Sequence, residues 1–356
     1  MAAWLSAAWA MIHPNRVTGP QLTTEGVMKV GLLGTGFGIA HARIYHTHPQ
    51  ISEVVVFGRT PAKLRAFADE FGYATTTEVA SIYEDPAVDL VDVCLPTSLH
   101  AEHVTRALAA GKHVLCELPL ATTMADARRV VDAQAASDRQ VFVDMFGRFD
   151  PATEVLHAAI AQGSYGTLQT LTMELRTALL WEGYQLGLDS MAMDVLHSSL
   201  DAIVTALGQP ESMTAVGVAK DAGGSAAEVV LGYPAAIVRC SASALLPKPY
   251  GMRGGYRAVF AEGAIESSWT AGYDGRPTGM LTEYTEQGQR EVDLPARDAY
   301  AAVVDHVIAC CQGRETSRLG PASVLDTLQL TLAIRTALTA VEHEVRNTRR
   351  MSASAG

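Results

Sequence analysis

The chain has no excess of basic charge, no ladder of cysteines and no long apolar run, and each absence removes a class of function. Its 27 lysines and arginines stand against 38 aspartates and glutamates, a formal charge of −11. A nucleic-acid binder carries a basic excess or a clustered basic stripe. Here the one dense basic pair, Arg349-Arg350, lies in a polar tail. Nucleic acid and anionic membrane are therefore not expected partners, whereas a small anion remains open, because a few local donors outweigh a distant net charge. The five cysteines, Cys94, Cys116, Cys240, Cys310 and Cys311, form neither a disulfide ladder nor a Cys-x-x-Cys zinc pair. Inert reduced thiols are expected, which favours a cytoplasmic protein. No run of 18 apolar residues occurs, so a spanning helix is not expected. The apolar start Ala2–Ile12 lacks a basic lead and a good cleavage site, so residues 1–27 read as an extension ahead of the first domain.

Charged residues are also sparse, at 18%, against 48% hydrophobic residues, so the chain can bury a large core and disorder is excluded for most of it. A length of 356 residues implies two domains at roughly 150 residues each. From Lys29 to about residue 147, short apolar runs (Lys29–Leu33, Val54–Phe57, Val88–Leu95, His113–Cys116, Gln140–Val143) alternate with helical stretches of 10–15 residues. That rhythm predicts a parallel sheet covered by helices on both faces. The rhythm then changes. Leu168–Arg176, Met213–Ala219, Ala227–Gly232, Ala236–Ala244 and Arg257–Ile265 read as strands separated by turns such as Asp274-Gly275, and helices are expected at about 296–312 and 321–346. The expected architecture is an α/β domain over 28–147 and an α+β domain over 148–346 with an open, mainly antiparallel sheet, then a frayed tail over 347–356.

The first strand runs into Gly34-Thr35-Gly36-Phe37-Gly38-Ile39-Ala40-His41. Glycines two apart, between a buried strand and a helix, allow a tight turn and let backbone N–H groups approach a pyrophosphate. Gly34, Gly36, Phe37 and Gly38 are thus expected at a dinucleotide, with Gly38 one place early for the third small residue of the fingerprint. The second strand ends without the carboxylate that holds the ribose of NAD; Gly58-Arg59-Thr60 follows instead, with Lys63 one turn on. Three donors suit a 2′-phosphate, so NADP(H) is preferred and NAD(H) possible. His41, His46 and His48 read as a solvated helix face and Cys310-Cys311 as core; no metal site is expected.

Further motifs carry a resemblance. Leu95-Pro96-Thr97-Ser98-Leu99-His100, Ala110-Gly111-Lys112-His113-Val114-Leu115-Cys116-Glu117, Arg148-Phe149-Asp150-Pro151 and Phe260-Ala261-Glu262-Gly263-Ala264-Ile265 resemble motifs of the glucose-fructose oxidoreductase / inositol dehydrogenase (Gfo/Idh/MocA) family, over residues 28 to about 340. The resemblance implies a Rossmann domain, an open-faced second domain serving a homodimer or homotetramer, and a small sugar-like or cyclitol substrate lying between the domains against the nicotinamide. It also places Pro96, Thr97, His100, Glu117, Pro119 and Arg148 at the cofactor, with Glu117 and Pro119 shaping the nicotinamide site.

Two departures bear on the chemistry. Where the family has Glu-Lys-Pro the chain has Glu117-Leu118-Pro119, and Leu118 can neither give nor take a proton. The family's second motif has Asp, His four residues later and Asp at seven; here Asp194 and Asp201 keep the spacing, Ser198 takes the histidine's place and His197 falls one residue early. His197 is either a packed histidine beside Asp201 or an acid or base turned into the cleft. Tyr184 is a second candidate acid, against a wall or packing role, and Lys248 and Tyr250 sit in a loop able to reach substrate or a neighbouring subunit. The expected function is hydride transfer between NAD(P) and a small ketone, alcohol or imine, with Tyr184, Asp194, His197 and Asp201 facing the substrate. The alternative is a redox-neutral isomerase, lyase or cyclase, or a cofactor sensor. An Arg-rich, Ala-rich composition fits a GC-rich bacterial genome and permits a natural-product pathway.

Overall fold

The computed structural model describes residues 26–178, 185–220, 223–271 and 278–353, with side chains to residue 340. The chain divides into two units. The first takes the residues up to Phe149 together with Arg297–Leu328. Six strands, β1 (Met28–Leu33), β2 (Ile51–Phe57), β3 (Ala74–Thr76), β4 (Leu90–Val93), β5 (His113–Cys116) and β6 (Val141–Val143), form one sheet in the order β3-β2-β1-β4-β5-β6. Every pairing in it is parallel. Val30, Leu32, Val91, Val93, Val114 and Phe142 are fully buried, as strands covered on both faces require. The covering helices are α1 (Gly38–Thr47), α2 (Pro61–Phe71), α3 (Ala80–Glu84), α4 (His100–Ala109) and α5 (Met124–Ala135). Strand order reverses between β1 and β4, and in such sheets ligands bind at the carboxyl ends of the strands where the order reverses.

The second unit holds Asp150–Ala296 and the chain from Gln329. Its eight strands are β7 (Leu168–Ala178), β8 (Ser212–Ala219), β9 (Ser225–Gly232), β10 (Ile237–Leu246), β11 (Met252–Phe260), β12 (Ala264–Ala271), β13 (Thr278–Thr285) and β14 (Gly288–Glu291), in the order β14-β13-β12-β11-β7-β10-β9-β8. All pairs are antiparallel except β7 with β10. One face carries Leu171, Val229, Leu231, Val238 and Ile265 into a core shared with Leu156 and Ala159 of α6 (Pro151–Gln162) and Leu200 and Ile203 of α7 (His197–Leu207).

Three expectations change. The run Arg257–Ile265 is a hairpin: β11 ends at Phe260, whose N–H donates to Gly263 O at 2.8 Å, and β12 begins at Ala264. The helix α8 (Ala299–Cys311), expected in the second domain, belongs to the first unit. There the Tyr300 ring lies 5.5 Å from that of Phe37, and His48 Nε2 donates to Asp305 at 2.9 Å. Apolar periodicity says that Val303, Val304, Val307 and Ile308 must be buried, but not against which core. The last helix, α9 (Leu325–Ala353), follows a 3₁₀ turn over Pro321–Val324. The Asp274-Gly275 turn lies outside the described residues. No described helix is long and apolar enough to cross a membrane.

Candidate active site

At the end of β1, Gly34 adopts φ +118°, a conformation side chains rarely take. Its N–H donates to Phe57 O at 3.0 Å, and a Cβ there would lie 2.3 Å from the carbonyl oxygen of Cys94. The loop is thus pressed onto the end of β4. Gly38 opens α1, and a Cβ there would lie 3.3 Å from Leu32 and 3.5 Å from Cys94, so it can fill the role of the third small residue despite its early position. The first turn of α1 carries no acidic residue, which leaves the positive end of the helix dipole available to an anion. Phe37 differs from expectation: its ring is buried against His41 and Tyr300, so only its backbone faces the loop.

Beyond β2, Arg59, Thr60 and Lys63 are exposed. Thr60 caps α2 without a side-chain capping bond. No side-chain hydrogen bond or ion pair engages any of the three among the described residues. Gly58 packs so tightly under Thr35 that a Cβ would come within 2.7 Å of its methyl group, which draws these donors against the glycine loop.

On the other side of the switch point, Pro96 is exposed and Thr97 half-buried. His100 is buried instead of open to a ligand: its Nε2 lies 2.7 Å from Leu95 O and its Nδ1 2.9 Å from Pro119 O. Burial lowers its pKa, although the two carbonyls favour the charged form. It therefore fixes the Glu117-Leu118-Pro119 segment, whose Leu118–Pro119 bond is cis, in place. Arg148 is also committed to the protein, donating to Arg318 O at 2.7 Å and to Ser323 Oγ at 2.8 Å. Both were expected at the cofactor; in the structure they make hydrogen bonds to backbone and side-chain partners of the protein itself.

The largest surprise lies beneath this edge. His41, expected on a solvated helix face, is 1% exposed. Its Nδ1–H donates to Asp92 Oδ2 at 2.8 Å, and Asp92 also accepts from Tyr45 at 2.8 Å and from Cys94 Sγ at 3.4 Å. On the other side of the ring, Nε2 stands 3.2 Å from Glu117 Oε1 and 3.1 Å from Asp144 Oδ2. The other oxygen of Glu117 accepts the Leu118 N–H at 3.1 Å. Burial alone would lower His41, but the carboxylate of Asp92 and its neighbours hold it well above the usual imidazole range. Burial pushes Glu117 up to about 7 and raises Asp144 as well. His46, by contrast, stacks near Phe71 and Tyr73.

In the second unit, a π-helical turn over Met191–Leu196 leads into α7. Such a turn shifts the register of the residues after it and is frequent at functional sites. Asp194 lies in this turn, and burial raises its carboxyl. His197 is 1% exposed and shares a 2.8 Å hydrogen bond with the Thr331 hydroxyl, which is the packed alternative; Asp201 is buried too. Tyr184 lies outside the described residues. Lys248 is exposed on a short 3₁₀ turn, and Tyr250 stacks under Arg253 at 4.6 Å.

Sequence reasoning missed Asp92 and Asp144 altogether and misplaced His41. The available signal was a charged residue inside each of two apolar runs, Val91-Asp92-Val93 within β4 and Val143-Asp144-Met145 at the end of β6, in a sheet covered on both faces.

Comparison with known proteins follows the same division. The sequence profile of the family described as "Oxidoreductase family, NAD-binding Rossmann fold" matches residues 28–145. Inositol 2-dehydrogenase of Acidothermus cellulolyticus is 37% identical over 149 residues, covering 41% of this chain and 44% of that protein. Trans-1,2-dihydrobenzene-1,2-diol dehydrogenase of Mus musculus is 27% identical over 238 residues, 62% of this chain and 69% of that one. The match thus spans less than half the length of the first curated relatives. Among solved structures, a putative NADPH-dependent oxidoreductase from Desulfitobacterium hafniense superposes with a TM-score of 0.78 at 14% identity, over 89% of this chain and 96% of that one. A 3-ketoreductase from Actinomadura kijaniata, in complex with NADP and TDP-benzene, gives 0.73 at 20% identity over 88% and 98%. These superpositions show a shared fold across both units.

Proposed function

We propose that the chain, whose residues 28–145 match the oxidoreductase family with an NAD-binding Rossmann fold, works as a Gfo/Idh/MocA-type oxidoreductase and moves a hydride between NADP(H) and a small polar substrate, a sugar-like ketone or alcohol or an imine. The observation that carries the cofactor half is the end of β2: three unengaged donors, Arg59, Thr60 and Lys63, stand where an NAD enzyme places a carboxylate. The loop over Gly34, Gly36 and Gly38 and the N-terminus of α1 receive the pyrophosphate. Pro96, Thr97 and Pro119 border the nicotinamide, which supplies the hydride when the cofactor is bound. The named relatives are dehydrogenases, so the redox-neutral and sensor alternatives are set aside.

The proton takes a route other than a lysine. Leu118 is buried and inert, and it seals the nicotinamide end against water while offering no charge to a cationic ring or iminium. Asp194, whose carboxyl is raised above the ordinary carboxylate range by burial, is the proposed donor to the oxygen or nitrogen that hydride addition makes basic. Tyr184 is the second residue assigned to that task. His197, held by Thr331, orients the helix instead of exchanging protons.

The deciding experiment measures NADPH and NADH binding to wild type and Arg59→Ala by fluorescence titration. Loss of a charge-assisted phosphate contact is expected to weaken NADPH by about tenfold or more while NADH changes little. An unchanged NADPH/NADH ratio removes the phosphate assignment.

A further inference from the structure

The cluster around His41 contains one imidazole and three carboxylates, all inside the first unit and all nine-tenths buried or more. Even with His41 charged, three ionised carboxylates leave an uncompensated negative interior, and isolated buried charge is among the most costly things a fold can contain. Asp92 is locally satisfied by Tyr45, Cys94 and the imidazole Nδ1–H. The other side of the ring is not. Nε2 of His41, Oε1 of Glu117 and Oδ1 of Asp144 are buried without a hydrogen-bond partner. Nε2 nevertheless stands only 3.2 Å from Glu117 Oε1 and 3.1 Å from Asp144 Oδ2. One nitrogen and two carboxylates thus converge on the same small volume, their ligand atoms all within 4.8 Å of one another.

We propose that His41 Nε2, Glu117 and Asp144 form a binding site for a first-row divalent cation of the zinc type. Four features argue for it. The Nε2–oxygen spacings of 3.2 and 3.1 Å fall between the ligand–ligand edges of octahedral (roughly 2.8–3.1 Å) and tetrahedral (roughly 3.3–3.6 Å) shells with bonds of about 2.0–2.2 Å. Charge comes close to closing as well: a divalent ion balances ionised Glu117 and Asp144 with His41 neutral, and leaves only Asp92, which accepts from Tyr45, Cys94 and the imidazole Nδ1–H. The second shell is in place, because a metal-bound histidine donates its other N–H to a carboxylate, as Nδ1 does to Asp92. An imidazole beside two carboxylates suits zinc, cobalt or manganese better than calcium or magnesium, which prefer all-oxygen shells. An ion here would fasten three βα junctions at the carboxyl edge of the sheet: α1 through His41, the end of β5 through Glu117 and the end of β6 through Asp144.

The test is the metal content of untagged protein purified without chelators, read by mass spectrometry, with thermal unfolding of chelator-stripped protein in added Zn²⁺, Mn²⁺ or Co²⁺. The site predicts about one equivalent of zinc-type metal per chain. It also predicts a Tm rise of about 5 °C or more at a metal concentration roughly a hundredfold above Kd. Asp144→Asn, which keeps the shape and removes the charge, and His41→Gln should both lose the metal and the shift. The cobalt-loaded wild type should show the visible absorption of a low-coordinate ion, which keeps the test open should a variant fail to fold. Protein that holds no metal, with a Tm indifferent to all three ions, overturns the proposal and means that shared protons neutralise the cluster. Metal that persists undiminished in both variants overturns it equally, because the ion is then bound elsewhere. Metal content is read without nucleotide or substrate, so failure of the hydride-transfer reading leaves this result untouched.

Discussion

At Gly34 the requirements of fold and ligand coincide in one backbone. The residue holds φ +118°, and a Cβ would sit 2.3 Å from Cys94 O, which is backbone and has no flexible end to move aside. Gly34→Ala therefore forces β1 and β4 apart at their carboxyl ends. We expect a cost of about 2–3 kcal/mol, seen as a Tm lower by roughly 5–10 °C, together with loss of NADPH binding. A variant that binds NADPH as wild type does would show that the glycine loop is not the phosphate cradle. The same scale explains why Arg59 is a clean probe and Arg148 is not. Arg59 is exposed and makes no side-chain hydrogen bond or ion pair among the described residues, so its removal reads ligand binding first, whereas Arg148 braces Arg318 and Ser323 and its loss reads stability first.

At the scale of the element, the π-helical turn Met191–Leu196 is the feature that redistributes the second motif. On an unbroken α-helix, Asp194, Ser198 and Asp201 would share a face and His197 would lie about 100° away from Ser198. The turn alters that relation, leaving Asp194 in the irregular segment and His197 packed against Thr331. On the proposed reading, the chemistry then falls to the Asp194 carboxyl. Asp194→Asn is expected to lower kcat for reduction by roughly 10²–10⁴-fold without changing the Kd for NADPH. The pH dependence follows from the direction of its shift. Burial raises the Asp194 pKa, and only the protonated form can donate. The reduction rate should therefore hold on the acid side and fall as pH rises through that raised pKa, and the asparagine variant should lose this limb. A full alkaline limb retained in Asp194→Asn would transfer the role to Tyr184.

At the scale of the whole molecule, what could be read in the sequence was what local pattern encodes. Apolar runs such as Val30–Leu33 and Val91–Val93 marked buried strands, and Gly34 to Gly38 marked the switch point, because spacing alone dictates both. Long-range pairing was not legible: neither the return of α8 to the first unit nor the meeting of His41, Asp92, Glu117 and Asp144 has a local signature. The open sheet lies between these cases, since its alternation was legible and its register was not. That register puts Val216 and Val218 of β8, Val230 of β9, Ile237 of β10 and Met280 and Tyr284 of β13 on the face opposite the core. Val216 is 54% exposed and Ile237 60%, large apolar side chains left in water on the face opposite the core. Salt pairs Arg257–Glu266 and Arg176–Glu174 occupy the middle strands of the same face, and on β8 to β10 the exposed aliphatic side chains stand among Glu228 and Arg239. A second copy applied to this face would remove each large side chain from water at about 1.5–3 kcal/mol. The protein is therefore expected to run as a dimer or tetramer by light scattering at micromolar concentration. Val218→Asp with Ile237→Glu should shift it to monomer while leaving the far-UV spectrum intact, because neither side chain supports the core. A wild type that is already monomeric, or an assembly unmoved by both charges, would mean that this face is not where copies of the chain meet.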